Sequence, residues 1–135
     1  MICAFNKSRL FIALSLLILL SACSPHPGAG NWQAKDSNSL NISRIHVVFE
    51  GTADFFSNGR DDSIRRCFWA ATDKQVLQFQ CVQSDHTEIK ETYDFYVSPT
   101  GQEAELKRDG RLIGHFNKQA YESVDNEHKK NMEQQ

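Results

Sequence analysis

No signature of a known chemistry can be found in this chain. Its five histidines, His26, His46, His86, His115 and His128, are scattered, with no H-x-H or H-E-x-x-H spacing among them. No serine sits in a G-x-S-x-G elbow, and no C-x-x-C pair marks a zinc or redox site. The acids Asp54, Asp61 and Asp62 with Asn58 do not follow the alternating ligand spacing of an EF-hand loop. These absences leave no basis for a metal, a cofactor or a catalytic residue, so a non-enzymatic protein is expected. Basic residues form no stripe able to neutralise a phosphate backbone; the pair Arg65-Arg66 reads as a solvated strand edge, and nucleic acid is not expected as a partner. There is no internal repeat, and no apolar run approaches the roughly 20 residues that span a bilayer as a helix.

What is present begins with an export signal. Lys7 and Arg9 precede the apolar run Leu10 to Leu20, with no acid among residues 1 to 20. A charged segment followed by an 11-residue apolar one is the layout of a cleaved secretory peptide. The next residues, Leu20-Ser21-Ala22-Cys23, resemble the lipobox of bacterial lipoproteins. That resemblance implies a diacylglycerol thioether on Cys23, cleavage before it, and two or three acyl chains in all, palmitate among them. Each buried methylene contributes about 0.8 kcal/mol, so several chains anchor stably where one holds only marginally. In enterobacterial lipoproteins an aspartate after the cysteine retains the protein in the inner membrane. Here that position is Ser24, which implies an outer-membrane anchor; the domain is expected to face the periplasm, although the sorting residue does not decide between the periplasm and the surface.

Removing residues 1 to 22 leaves 113 residues and takes the basic count from 15 to 13 against 17 acids, a net charge of −4. Such a length makes one domain with one core. Of the four cysteines, Cys3 leaves with the signal and Cys23 takes the lipid, so Cys67 and Cys81 remain. In an oxidising compartment two thiols suggest one disulfide. Parity supports this: Cys67, Trp69 and Ala71 share one face, as do Leu77, Phe79 and Cys81. A hairpin centred on Lys74 therefore pairs 67 with 81, 69 with 79 and 71 with 77.

The chain divides into residues 23–30, a Pro- and Gly-rich tether, residues 31–117, a β-domain, and residues 118–135, a charged tail expected to be a short helix or disordered. Within the domain the apolar period is two. Ile45, Val47 and Phe49 alternate with polar neighbours, Phe55-Phe56 belong to a further strand, and Ile89, Tyr93, Phe95 and Val97 share one side. Asn58-Gly59 and Asp109-Gly110 are turn signals, the second a strong hairpin marker. Seven or eight short strands without a long amphipathic helix predict an all-β antiparallel meander that closes as a lipocalin-like barrel or folds as a sandwich. Most of the aromatic residues are expected in the core. In a barrel of about eight strands they either fill the interior or leave room for one small ligand; the filled core is favoured, although parity does not decide.

Gly30-x-Trp32-Gln33-x-Lys35, the Cys67-x-Trp69 strand, the Lys90-x-x-Tyr93 strand and a closing hairpin resemble the small enterobacterial lipoproteins of the YedD type. That family has no established activity, so the resemblance implies class and location only. The Gly-x-Trp opening is similar to that of lipocalins, where the tryptophan closes the base of the barrel. The expected function is a membrane-anchored envelope accessory or binding module with an envelope protein as partner. The alternatives are a lipocalin-like carrier of a small apolar ligand and, further off, an envelope hydrolase.

Overall fold

The computed structural model describes residues 24–120. Within them eight strands run in order: β1 (Gly30–Ala34), β2 (Ile42–Val47), β3 (Thr52–Ser57), β4 (Arg65–Asp73), β5 (Val76–Gln83), β6 (Lys90–Val97), β7 (Glu103–Arg108) and β8 (Arg111–Lys118). Each pairs antiparallel with its sequence neighbour, and β1 pairs with β8, so the meander closes into a barrel. Closure abolishes the free edges that an open sheet would expose. No helix occurs among the described residues. The tail from residue 121, and with it the expected helix or disorder, lies outside them.

The alternation read from the sequence sorts inside from outside. Trp32, Ile45, Val47, Phe55, Leu77, Phe79, Tyr93, Phe95, Leu106 and Phe116 point inward and are buried. Their rings form a continuous series: Trp32 meets Phe95 edge-on at 5.1 Å, Phe95 meets Phe79 at 5.5 Å and Phe116 at 6.1 Å, and Phe79 meets Phe55 edge-on at 5.4 Å. Centroid separations of this kind are those of stabilising aromatic pairs. The interior is thus occupied by side chains, as favoured from the sequence.

Turns follow their chemistry. Asp109 and Gly110 both take positive φ, 51° and 76°, as a two-residue type I′ hairpin requires. Register shifts at Ile42/Arg44, Ala71/Asp73 and Leu106/Lys107 mark bulges, which bend strands and increase their twist where a small barrel must curve. Cys67 and Cys81 are register partners joined by a disulfide, with Trp69 opposite Phe79 and Ala71 opposite Leu77, the predicted pairing. Both cysteines are buried, their Cα atoms 4.0 Å apart, in keeping with the closer of the two antiparallel pair types.

Four expectations are corrected. Phe49, placed with the inward row of β2, lies beyond the strand's end in the turn at Val48–Gly51 and is 62% exposed. Phe68 and Tyr96 fall on the outward parity of β4 and β6 and are exposed, so neither belongs to the core. Ile89 shares the inward parity of Glu91 but lies before β6, in the β5–β6 turn, and is exposed. Arg65 is not a solvated edge: it shares the parity of Cys67 and is 8% exposed, while its neighbour Arg66 is the one in solvent.

Candidate functional site

The meander gives the barrel two mouths. One, the strap mouth, gathers the turns β2–β3, β4–β5 and β6–β7 with the start of β1; the other, the far mouth, gathers β1–β2, β3–β4, β5–β6 and β7–β8.

At the strap mouth the segment read as a tether is packed down. His26 Nε2 lies 3.0 Å from the Asp73 carbonyl oxygen, and His26 Nδ1 accepts from the Gly28 amide at 3.0 Å. With Nδ1 accepting, the neutral ring carries its proton on Nε2 and donates it to Asp73. Trp32 Nε1 donates to the Gly28 carbonyl at 2.9 Å, and Lys118 Nζ donates to the Pro27 carbonyl at 2.9 Å while lying over the Trp32 ring. Partial burial pushes the Lys118 ammonium below its usual pKa. Gly28 is buried against Leu77, and an added Cβ would lie 2.5 Å from Leu77 Cδ1, so a larger residue would have to displace that side chain. Trp32 therefore closes this end together with the strap that covers it.

The far mouth is sealed by ions. Arg65 Nε donates to Glu91 Oε2 at 2.6 Å, Tyr93 Oη donates to the same oxygen, Gln83 Nε2 donates to Oε1 at 2.8 Å, and Arg108 stands 3.5 Å from Oε1. Glu91 is 6% exposed. Burial alone would raise its pKa, but the hydrogen bonds from Arg65, Tyr93 and Gln83 outweigh it and bring the carboxyl down from 4.5 to about 2. Burial and the adjacent carboxylate push the Tyr93 phenol up to about 12. Each Glu91 oxygen has its donors, so the carboxylate is satisfied within the network. Sequence reading missed it because charged residues were assigned outward, yet the signal was present: Arg65 and Glu91 carry the parity of Cys67 and Tyr93.

The outer wall carries a third feature. On β3–β5 the outward residues Phe56, Arg66, Phe68 and Val82 line a groove rimmed by Asp54, Asp61, Asp62 and Gln80. Phe68 is 73% exposed, and the Arg44 guanidinium stacks over Phe56 at 4.1 Å. The groove is an open depression of about 670 Å³, a volume within the roughly 300–1,000 Å³ of small-molecule sites.

Among the described residues no group of three or more His, Cys, Asp or Glu is gathered to hold a metal, and no helix is long and apolar enough to cross a membrane. Cys23, the lipidation candidate, lies outside the described residues, bonded to Ser24, the first of them. No family model, curated protein or solved structure matches the chain.

Proposed function

We propose that this chain is a lipid-anchored envelope protein whose barrel is a non-catalytic binding module for a small apolar ligand. Of the two binding readings left by the sequence, the closed eight-stranded barrel supports the carrier better than it supports contact with a partner protein. Barrels of this strand number hold small ligands in the lumen where it is open; here the same frame carries a groove of ligand size on its wall. The ring-filled interior leaves the lumen as packing, so the ligand site is the outer groove, and the observation that carries this assignment is Phe68. A phenylalanine 73% exposed on a β-strand, beside Phe56 and Val82, gains by being covered; full burial of such a side chain contributes roughly 1.5–3 kcal/mol.

Titration of the purified lipoprotein with 11-(dansylamino)undecanoic acid tests it. One-to-one binding with a micromolar Kd is expected. Phe68→Ser should weaken it by roughly tenfold or more and leave the thermal midpoint unchanged, while Phe95→Leu in the interior should lower the midpoint and spare the affinity. Equal affinity in Phe68→Ser would overturn the groove. Absence of probe binding, with a photocrosslinker at position 68 capturing one envelope protein in cells, would transfer the site to the partner-protein reading.

A further inference from the structure

The strap fixes more than the barrel's end. From the lipidation candidate Cys23 to His26 is three residues, a reach of at most about 10 Å even when fully extended. His26 is held on the Asp73 carbonyl at 3.0 Å, and Pro27 and Gly28 are held by Lys118 and Trp32. If the anchor is at Cys23, its acyl chains enter the bilayer within that reach of the strap mouth. The far mouth, at the other end of β4 and its nine residues, is out of range.

At the same mouth stands Phe49. It occupies the tip of the β2–β3 turn, in which Gly51 takes a φ of 105° and its amide bonds back to the Val48 carbonyl. The turn is fastened to the strap through one residue: Trp69 Nε1 donates to the Val48 carbonyl at 2.7 Å, and the Trp69 ring lies 6.2 Å from that of His26. Phe49 is thus exposed on the surface from which the acyl chains depart. Among the described residues the charged side chains at this mouth balance, with Lys74 and Lys118 against Glu50 and Asp73, and Glu103 paired with Lys35 at 3.0 Å. An interfacial aromatic on a neutral rim fits the apolar boundary of a bilayer and needs no anionic lipid.

We propose that the strap mouth is the membrane-facing surface of the barrel and that Phe49 is a second, protein-borne contact with the lipid. This rests on the anchor reading given above and adds an orientation to it: the groove at Phe68 stands on the side wall, and the Arg65–Glu91 network faces away from the membrane.

Depth-dependent quenching separates the two. The full-length lipoprotein is expressed in bacteria, and the mature form is purified in detergent and reconstituted into phosphatidylethanolamine/phosphatidylglycerol vesicles whose acyl chains are brominated. Phe49→Trp and Leu112→Trp, the latter at an exposed residue beside the β7–β8 turn of the far mouth, are compared with the unchanged protein, which supplies the background of Trp32 and Trp69. Intact mass first establishes whether Cys23 carries lipid. With lipid present, the added emission of Phe49→Trp should fall by about half while that of Leu112→Trp stays unquenched. Lipid present with Phe49→Trp unquenched, or with both positions quenched alike, overturns the orientation and leaves the anchor standing. A mature mass without lipid overturns the anchor itself, and the orientation falls with it.

Discussion

The two mouths of this barrel are closed by opposite chemistries. The strap mouth uses mostly neutral groups, three main-chain carbonyls, one imidazole and one indole, with a single charge, the ammonium of Lys118, at its edge. The far mouth uses a buried carboxylate between two guanidiniums, with a phenol and an amide completing its hydrogen bonds. Neutral hydrogen bonds contribute about 1 kcal/mol each and can be lost singly. A buried ion pair is nearly neutral as a whole, yet removing one member strands the other in low dielectric at about 3–5 kcal/mol. The far mouth should therefore fail abruptly and the strap mouth yield gradually.

Glu91→Ala is the sharpest way to break that contrast. It leaves Arg65 buried without its carboxylate and should cost about 3–5 kcal/mol in urea unfolding, whereas Arg65→Met combined with Glu91→Leu should recover most of the loss. A double variant as unstable as Glu91→Ala would show that packing, not stranded charge, governs this mouth. The pH dependence follows in sign. The Glu91 carboxyl is depressed in the fold from 4.5 to about 2, so its contribution is complete above pH 4.5 and is lost as pH falls toward 2. Tyr93 is raised from 10 to about 12, so its contribution is present below pH 10 and is lost as pH rises toward 12. Glu91→Gln should flatten the acid limb of stability against pH.

The disulfide lies next to that network, since Cys81 is the register partner of both Cys67 and Glu91. Closing a loop of 14 positions stabilises by about 3 kcal/mol in the chain-entropy account. Reductant should lower the thermal midpoint of the unchanged protein and leave a Cys67→Ala/Cys81→Ala variant unaffected. Because both sulfurs are buried, reduction of the folded protein should be slow and follow the opening of the barrel. Fast reduction under native conditions would mean that the far mouth opens locally.

The hairpin that carries this disulfide is fully legible in the amino-acid pattern. Parity on two strands and one turn determines its register, because a slip of one residue would turn every apolar side chain outward. Asp109-Gly110 is legible for a related reason, its φ values being written in the residue types. Arg65 and Glu91 are not. Their parity points inward, but polarity points outward, and only the three-dimensional meeting of the two charges settles which signal wins. Phe49 and Phe68 fail in the reverse sense: hydrophobicity suggests core, while a strand end and a parity place them outside. The strap is hidden because its bonds are to carbonyls of residues remote in sequence, such as Asp73, and a Pro/Gly segment carries no periodicity to announce a docked conformation. The closing pair β1–β8 is likewise a contact between chain ends, beyond the range of any local pattern.

The smallest expected effect is at the strap, and it decides whether the neutral mouth is as graded as its bonds imply. His26 accepts from the Gly28 amide and donates to the Asp73 carbonyl, the second bond being exposed. Truncation in His26→Ala removes both without stranding a charge, so water can replace the donor to Asp73 and the net cost should be about 1 kcal/mol or less. The Trp32 bond to the Gly28 carbonyl and the Lys118 bond to the Pro27 carbonyl remain to hold the segment. Amide hydrogen exchange should then accelerate at Gly28, whose acceptor is lost. It should not change at Tyr93 or Phe95, whose amides lie in β6 within the barrel wall. If His26→Ala instead accelerates exchange across β6 as Glu91→Ala is expected to, the two mouths form one cooperative unit, and the difference in their chemistry does not translate into a difference in local stability.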